Sequence, residues 1–88
     1  MPERSLLTRA LEFFTRLHAT PELDVTANLE HLDSGEPTRV RSGLRYLAMI
    51  GPPARRARSR VAALVDDPDP EVSALARAAL DAIDGRAR

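Results

Sequence analysis

The sequence predicts an all-α chain: a short α-solenoid of antiparallel helix pairs, with five helices in about two and a half repeats. Three observations lead there. Apolar residues recur at spacings of three and four in five separate segments, the signature of helices with one buried face. Clusters of proline, glycine and acidic residues punctuate those segments. The whole pattern recurs with a period of about 33 residues, as stacked helical repeats do. Nothing alternates with period two, so no strand is expected.

The first helix is predicted over Ser5 to His18, where Leu7, Leu11, Phe14 and Leu17 form one stripe. Thr20-Pro21-Glu22 reads as a cap followed by proline at the first helical position, where its missing N–H is harmless. The second helix runs from there to Leu32, with Val25, Leu29 and Leu32 inward. Asp33-Ser34-Gly35-Glu36 is a turn, and Pro37 opens the third helix. That helix presents Val40, Leu44, Leu47 and Ile50 before Gly51 stops it. Pro52-Pro53 starts the fourth, with Ala54, Ala57, Val61, Leu64 and Val65 facing inward. After the turn Asp66-Asp67-Pro68-Asp69-Pro70, the fifth carries Val72, Ala76, Ala79, Leu80 and Ile83 and ends at Gly85.

Sliding the chain by one period places Leu7, Leu11, Phe14 and Leu17 on Val40, Leu44, Leu47 and Ile50. The same shift carries the turn 32–37 onto 65–70 and Phe13 onto Tyr46. A second step brings Leu47 and Ile50 onto Leu80 and Ile83. One domain spanning residues 1–88 is expected, near the small end of what a single core supports.

Two segments carry a resemblance to a known family. Asp66-Asp67-Pro68-Asp69-Pro70-Glu71-Val72 is an acidic turn leading into a helix. Ala79-Leu80-Asp81-Ala82-Ile83-Asp84-Gly85 is a helix end that Leu47-Ala48-Met49-Ile50-Gly51-Pro52 echoes one unit earlier. In these the chain resembles the HEAT-repeat family, most of all its short bacterial variety related to phycobilisome-lyase repeats. The match is closest over residues 36–85. In the first unit His18 replaces the glycine stop, and Ser73 stands where Arg41 supplies a basic residue one unit before. The resemblance implies a right-handed stack whose second helices line a concave surface. It also implies a scaffold that binds proteins, with relatives that handle tetrapyrrole chromophores or alkylated DNA.

Composition narrows the function. All thirteen basic residues are arginine, and the formal net charge is zero. That zero conceals segregation: residues 37–65 hold seven arginines and no acid, whereas both flanking segments are net acidic. With no cysteine there is neither disulfide nor thiolate chemistry. No apolar run reaches the roughly 20 residues of a membrane span, and the N-terminus lacks a secretory pattern, so a cytoplasmic address is the default. The serines sit in no nucleophile motif. His18 and His31 have no partners at metal-ligand spacing. No enzyme activity and no cofactor are expected.

The candidate binding residues are Arg55, Arg56, Arg58 and Arg60. On a helical wheel the first three point away from the apolar face, and Arg60 lies at its border. If the second helices line the concave side, these residues make a cationic surface suited to carboxylates or phosphates. The competing interpretation is a solvated face partly paired with neighbouring acids. Arg41 and Arg45 are weaker candidates. They lie four apart on the third helix, and the repeat offset sets Arg45 opposite Glu12, so a ladder pair between adjacent first helices is the simpler expectation. Asp66, Asp67, Asp69 and Glu71 lack the spacing of a calcium loop and are expected to cap the fifth helix.

The expected function is therefore a non-enzymatic interaction module that binds an acidic protein surface or docks through an uncapped helical flank. The flanks in question are Leu6, Leu7, Phe13 and Phe14 on the first helix, and Val72 and Leu75 on the fifth; a homodimer through them is the related possibility. Nucleic-acid binding through the stretch from Arg39 to Arg60 is the alternative, disfavoured by the absence of interleaved aromatics. A third, an accessory to chromophore or cofactor attachment, follows from the resemblance alone.

Overall fold

The structure is a computed structural model that describes residues 24–86. The predicted first helix, with Phe13, Phe14 and Glu12, lies outside the described residues. The described residues form four α-helices: α1 (Val25–Leu32), α2 (Pro37–Ile50), α3 (Arg58–Ala62) and α4 (Pro70–Ile83), with a 3₁₀ segment at Pro52–Ala57 leading into α3. Helix accounts for 75% of the described residues, and none of these is in a strand.

The helix starts follow from side-chain chemistry. Every α-helix begins with four N–H groups that lack intrahelical partners. Asp24 accepts from the Thr26 N–H at 2.8 Å. Glu36 accepts from those of Thr38 and Arg39 at 3.0 and 3.3 Å. Asp69 accepts from Glu71 and Val72 at 2.9 and 3.4 Å. Pro37 and Pro70 each occupy the first helical turn directly after their cap. The two turns one period apart are thus solved in the same way.

Two predicted boundaries are corrected. The second predicted helix was expected to start at Pro21, but α1 starts at Val25 because Asp24 is extended and its carboxylate caps the turn. The fourth was expected to be one α-helix from Pro52 to Val65. Instead it winds as 3₁₀ helix to Ala57, continues as five residues of α-helix, and dissolves into turns. Proline at the first two positions removes donors, and alanine at the buried positions 54 and 57 tolerates the tighter 3₁₀ turn.

The core is aliphatic. Leu44, Leu47, Ala54, Ala57, Val61, Ala76 and Ala79 are fully buried, joined by Leu32, Val40, Val72 and Ile83. The predicted inward residues Val25, Leu29, Ile50, Leu64, Val65 and Leu80 are only partly buried against it. Each fully buried leucine contributes about 1.5–3 kcal/mol. Helix α2 packs on α4 and on α1; the 3₁₀–α3 segment touches α1, α2 and α4. Alanines at 54 and 57 keep that segment's inner side flat, so it can lie close to its neighbours.

Glycine does two jobs. Gly51 ends α2 at φ +74°, a conformation that strains any L side chain, while its N–H still reaches the Leu47 carbonyl at 3.0 Å. Gly43 sits buried in mid-helix: a Cβ there would lie 3.1 Å from both the Asn28 carbonyl oxygen and the His31 Cβ. Its hydrogen side chain is what lets α1 approach α2.

Candidate interaction surface

The seven arginines of residues 37–65 enter the fold on two elements. Arg39, Arg41 and Arg45 project from α2; Arg55, Arg56, Arg58 and Arg60 project from the 3₁₀–α3 segment. Burial of Ala54, Ala57 and Val61 on the inner side forces all four of the second group outward, and all four are exposed.

Most of these charges are matched within the chain. Arg58 forms a two-pronged pair with Asp84 at the end of α4, Nε to Oδ1 at 2.7 Å and Nη2 to Oδ2 at 3.0 Å. Arg60 pairs with Asp33 at the end of α1, Nη1 to Oδ2 at 3.0 Å. Arg41 reaches the Asp69 carboxylate at 3.3 Å and Glu71 at 3.5 Å. Arg45 reaches Glu71 at 3.1 Å. Arg56 donates to the Thr26 hydroxyl on α1. Arg39 and Arg55 form no ion pair among the described residues.

The sequence pattern is thereby explained. The hydrogen-bonded ion pairs of these arginines join residues 26 to 28 positions apart, nearly one period. A basic block between two acidic ones folds so that four of its seven arginines meet acids of the segments before and after it. Arg45 was expected opposite Glu12, which lies outside the described residues; its observed partner is Glu71, on the helix that follows rather than the one before. A ladder between adjacent helices exists, and it runs toward α4.

Electrostatics follow the geometry. The Asp84 carboxyl is held below its ordinary range, chiefly by the Arg58 hydrogen bond and then by the charges of Arg58, Arg86 and Arg55, against an opposing effect of desolvation. Reciprocally, the Arg58 guanidinium is raised further by the same bond. Glu36 is lowered mainly by the backbone N–H of Thr38.

The acidic turn also divides its labour. Asp69 caps α4, and Asp67 accepts from the Asp69 N–H at 2.9 Å. Glu71, expected to help cap, instead holds Arg41 and Arg45. Asp66 lies 3.9 Å from Arg77.

The flanks need one correction. Val72 was expected to be exposed for docking but is buried, and Leu75 is partly buried, because α2 covers that side of α4. What α4 presents outward is Ala74, Arg77, Ala78 and Asp81. Among the described residues the only large exposed hydrophobic side chain is Met49. No helix of the described residues is long and apolar enough to cross a membrane.

Sequence reasoning missed two participants. Arg86, beyond α4, reaches Asp84 at 3.4 Å; it stood outside the basic block that drew attention. Thr26 had no distinguishing signal. Comparison with known proteins adds nothing to this geometry: the chain matches no protein-family model, no curated protein and no solved structure.

Proposed function

We propose that the chain is a HEAT-like helical-repeat module that binds another protein and catalyses no reaction. One observation carries the repeat reading: Glu36-Pro37 and Asp69-Pro70, one period apart, open α2 and α4 with the same cap geometry, and α2 packs directly on α4. Repeats of this kind bury their faces against one another and leave an extended surface for partners.

The pairing of Arg41, Arg45, Arg58 and Arg60 weighs against the nucleic-acid alternative. A surface that tracks phosphates needs several uncommitted cations, each releasing counterions on binding. Here four of the seven arginines already face carboxylates. The uncommitted arginines of the block, Arg39 on α2 and Arg55 and Arg56 on the 3₁₀ segment, are few and form no continuous track, which suits a protein contact. Chromophore attachment has only the family resemblance behind it.

The test is photocrosslinking in cells with a photoreactive residue at exposed position 56 and, separately, at position 49. Specific protein adducts from either position support the module. Adducts to nucleic acid from position 56 would overturn it in favour of the alternative.

A further inference from the structure

Asp84 gathers more positive charge than it can neutralise. Its side chain is 15% exposed and accepts both prongs of Arg58 and one contact from Arg86. Arg55 precedes Arg58 by three positions, one turn of 3₁₀ helix, so the two guanidinium stems leave the same side of their segment. The pull of Arg55 on the Asp84 carboxyl agrees with that placement. Two guanidinium groups contact one carboxylate, and a third leaves the same side of its segment, beside the roughly half negative charge of α4's C-terminus. A positive excess remains.

The donors are unequally used. Arg58 commits its fork to Asp84. Arg86, whose side chain is 71% exposed, makes only a long contact of 3.4 Å. Arg55 is exposed and makes no ion pair among the described residues. Each guanidinium offers five N–H donors arranged to meet a carboxylate side-on, so Arg86 beside Asp84, and Arg55 on the same side of its segment as Arg58, keep donors to spare. Of the other described arginines, Arg60 is balanced by Asp33, and Arg41 with Arg45 by Asp69 and Glu71, while Arg39 and Arg56 stand away from this cluster without an ion pair among the described residues.

We propose that Arg55 and Arg86, organised around the Arg58–Asp84 pair, form the docking site for an acidic peptide segment of a partner protein. The inference rests on the protein-binding reading above and names the partner's chemistry. A peptide carboxylate seats between the two free forks as a second anion beside Asp84. Nucleic acid fits less well, because the site offers two or three cations in one spot, with Asp81 and Asp84 nearby in the sequence, rather than a track of them.

The experiment measures fluorescence anisotropy of a labelled glutamate-rich decapeptide, a lysine-rich counterpart and a short DNA duplex titrated with the whole chain. The acidic peptide should bind, more weakly as salt rises because the contact is exposed and screened; the basic one should not. Arg55→Glu with Arg86→Glu should reduce that binding by roughly tenfold or more while the melting temperature stays nearly constant. Arg39→Glu, a like charge change at the far end of α2, should leave binding unchanged. Asp84→Asn removes the resident anion and should tighten peptide binding severalfold even as it lowers stability. The proposal is overturned if the acidic peptide does not bind, if the double reversal leaves its binding intact, if Asp84→Asn weakens it, or if the duplex binds more tightly through the same residues. Protein adducts from position 49 alongside a failed peptide titration would sink this site and leave the broader reading standing.

Discussion

Gly43 shows how one missing side chain can set a helix–helix distance. Alanine in mid-helix is favoured over glycine by about 1 kcal/mol, so Gly43→Ala would stabilise α2 in isolation. In the fold the new methyl would meet the Asn28 carbonyl oxygen at 3.1 Å and the His31 Cβ at 3.1 Å. Neither can swing aside as the tip of a flexible side chain could. Overpacking typically costs about 1–3 kcal/mol, so the expected net effect is a loss of about 1 kcal/mol, with Gly43→Val worse. Urea denaturation of the two variants checks this, and a more stable Gly43→Ala would mean that α1 can retreat. Asp84 gives a second prediction at this scale. Its folded-state affinity for protons is lowered, so its contribution to stability is complete above the unfolded carboxylate value and disappears as pH falls through the lower folded value. Thermal melts from neutral pH down to about pH 3 should show an acid-sensitive component that Asp84→Asn or Arg58→Gln removes. An unchanged acid profile in both variants would show that the pair does not contribute.

Among the elements, α2 and α4 share one design with unequal loads on their caps. Glu36 serves only the start of α2, through Thr38 and Arg39. Asp69 caps α4 and also binds Arg41. Removing an N-cap side chain typically costs about 0.5–2 kcal/mol. Asp69→Ala is therefore expected to destabilise more than Glu36→Ala, and Arg41→Gln should reduce that difference. Equal losses, measured by chemical denaturation, would show that the pair to Arg41 adds nothing. The same two elements were the most readable in the sequence. Proline after an acid marked their starts, and the spacing of Val40, Leu44 and Leu47, and of Val72, Ala76, Ala79 and Ile83, marked their buried faces. The 3₁₀ segment escaped notice because alanines at 54 and 57 fit an α-helical stripe as well as a 3₁₀ one, and only backbone winding distinguishes them. The ion pairs were half readable. Periodicity assigns a residue to a face but does not say which of two flanking helices fills it: the spacing points Arg45 toward Glu12, outside the described residues, and among those described its partner is Glu71. Acids at the start of α1 would fit the arginines of the 3₁₀–α3 segment equally well by that logic. The fold instead supplies Asp84 and Asp33, each from a helix end.

At the scale of the whole molecule, charge segregation along the chain becomes charge neutralisation across it. Among the described residues the basic middle third holds Asp33 on one side and Asp69, Glu71 and Asp84 on the other, through pairs close to one period long. Exposed pairs of this kind are individually weak, typically about 0–1 kcal/mol, so they act on register more than on total stability. Stability rests on the aliphatic core, and a linear stack makes a definite statement about how it is distributed. An interior helix is covered on both flanks, while a terminal helix is covered on one. Leu47 on α2 is fully buried; Leu80, its counterpart one period later on α4, is only partly so. Leu47→Ala should cost about 2–5 kcal/mol, the usual range for a leucine deleted from a well-packed core. That is a large fraction of what a domain this small possesses, so the variant is expected to be partly unfolded at room temperature. Leu80→Ala removes the same atoms from a site that water already reaches, and should cost clearly less. The comparison holds chemistry constant and varies only which helix carries the leucine. Similar losses at the two sites, read from urea midpoints with matching slopes, would mean that α4 is as deeply enclosed as α2 and that the helices do not form a linear array.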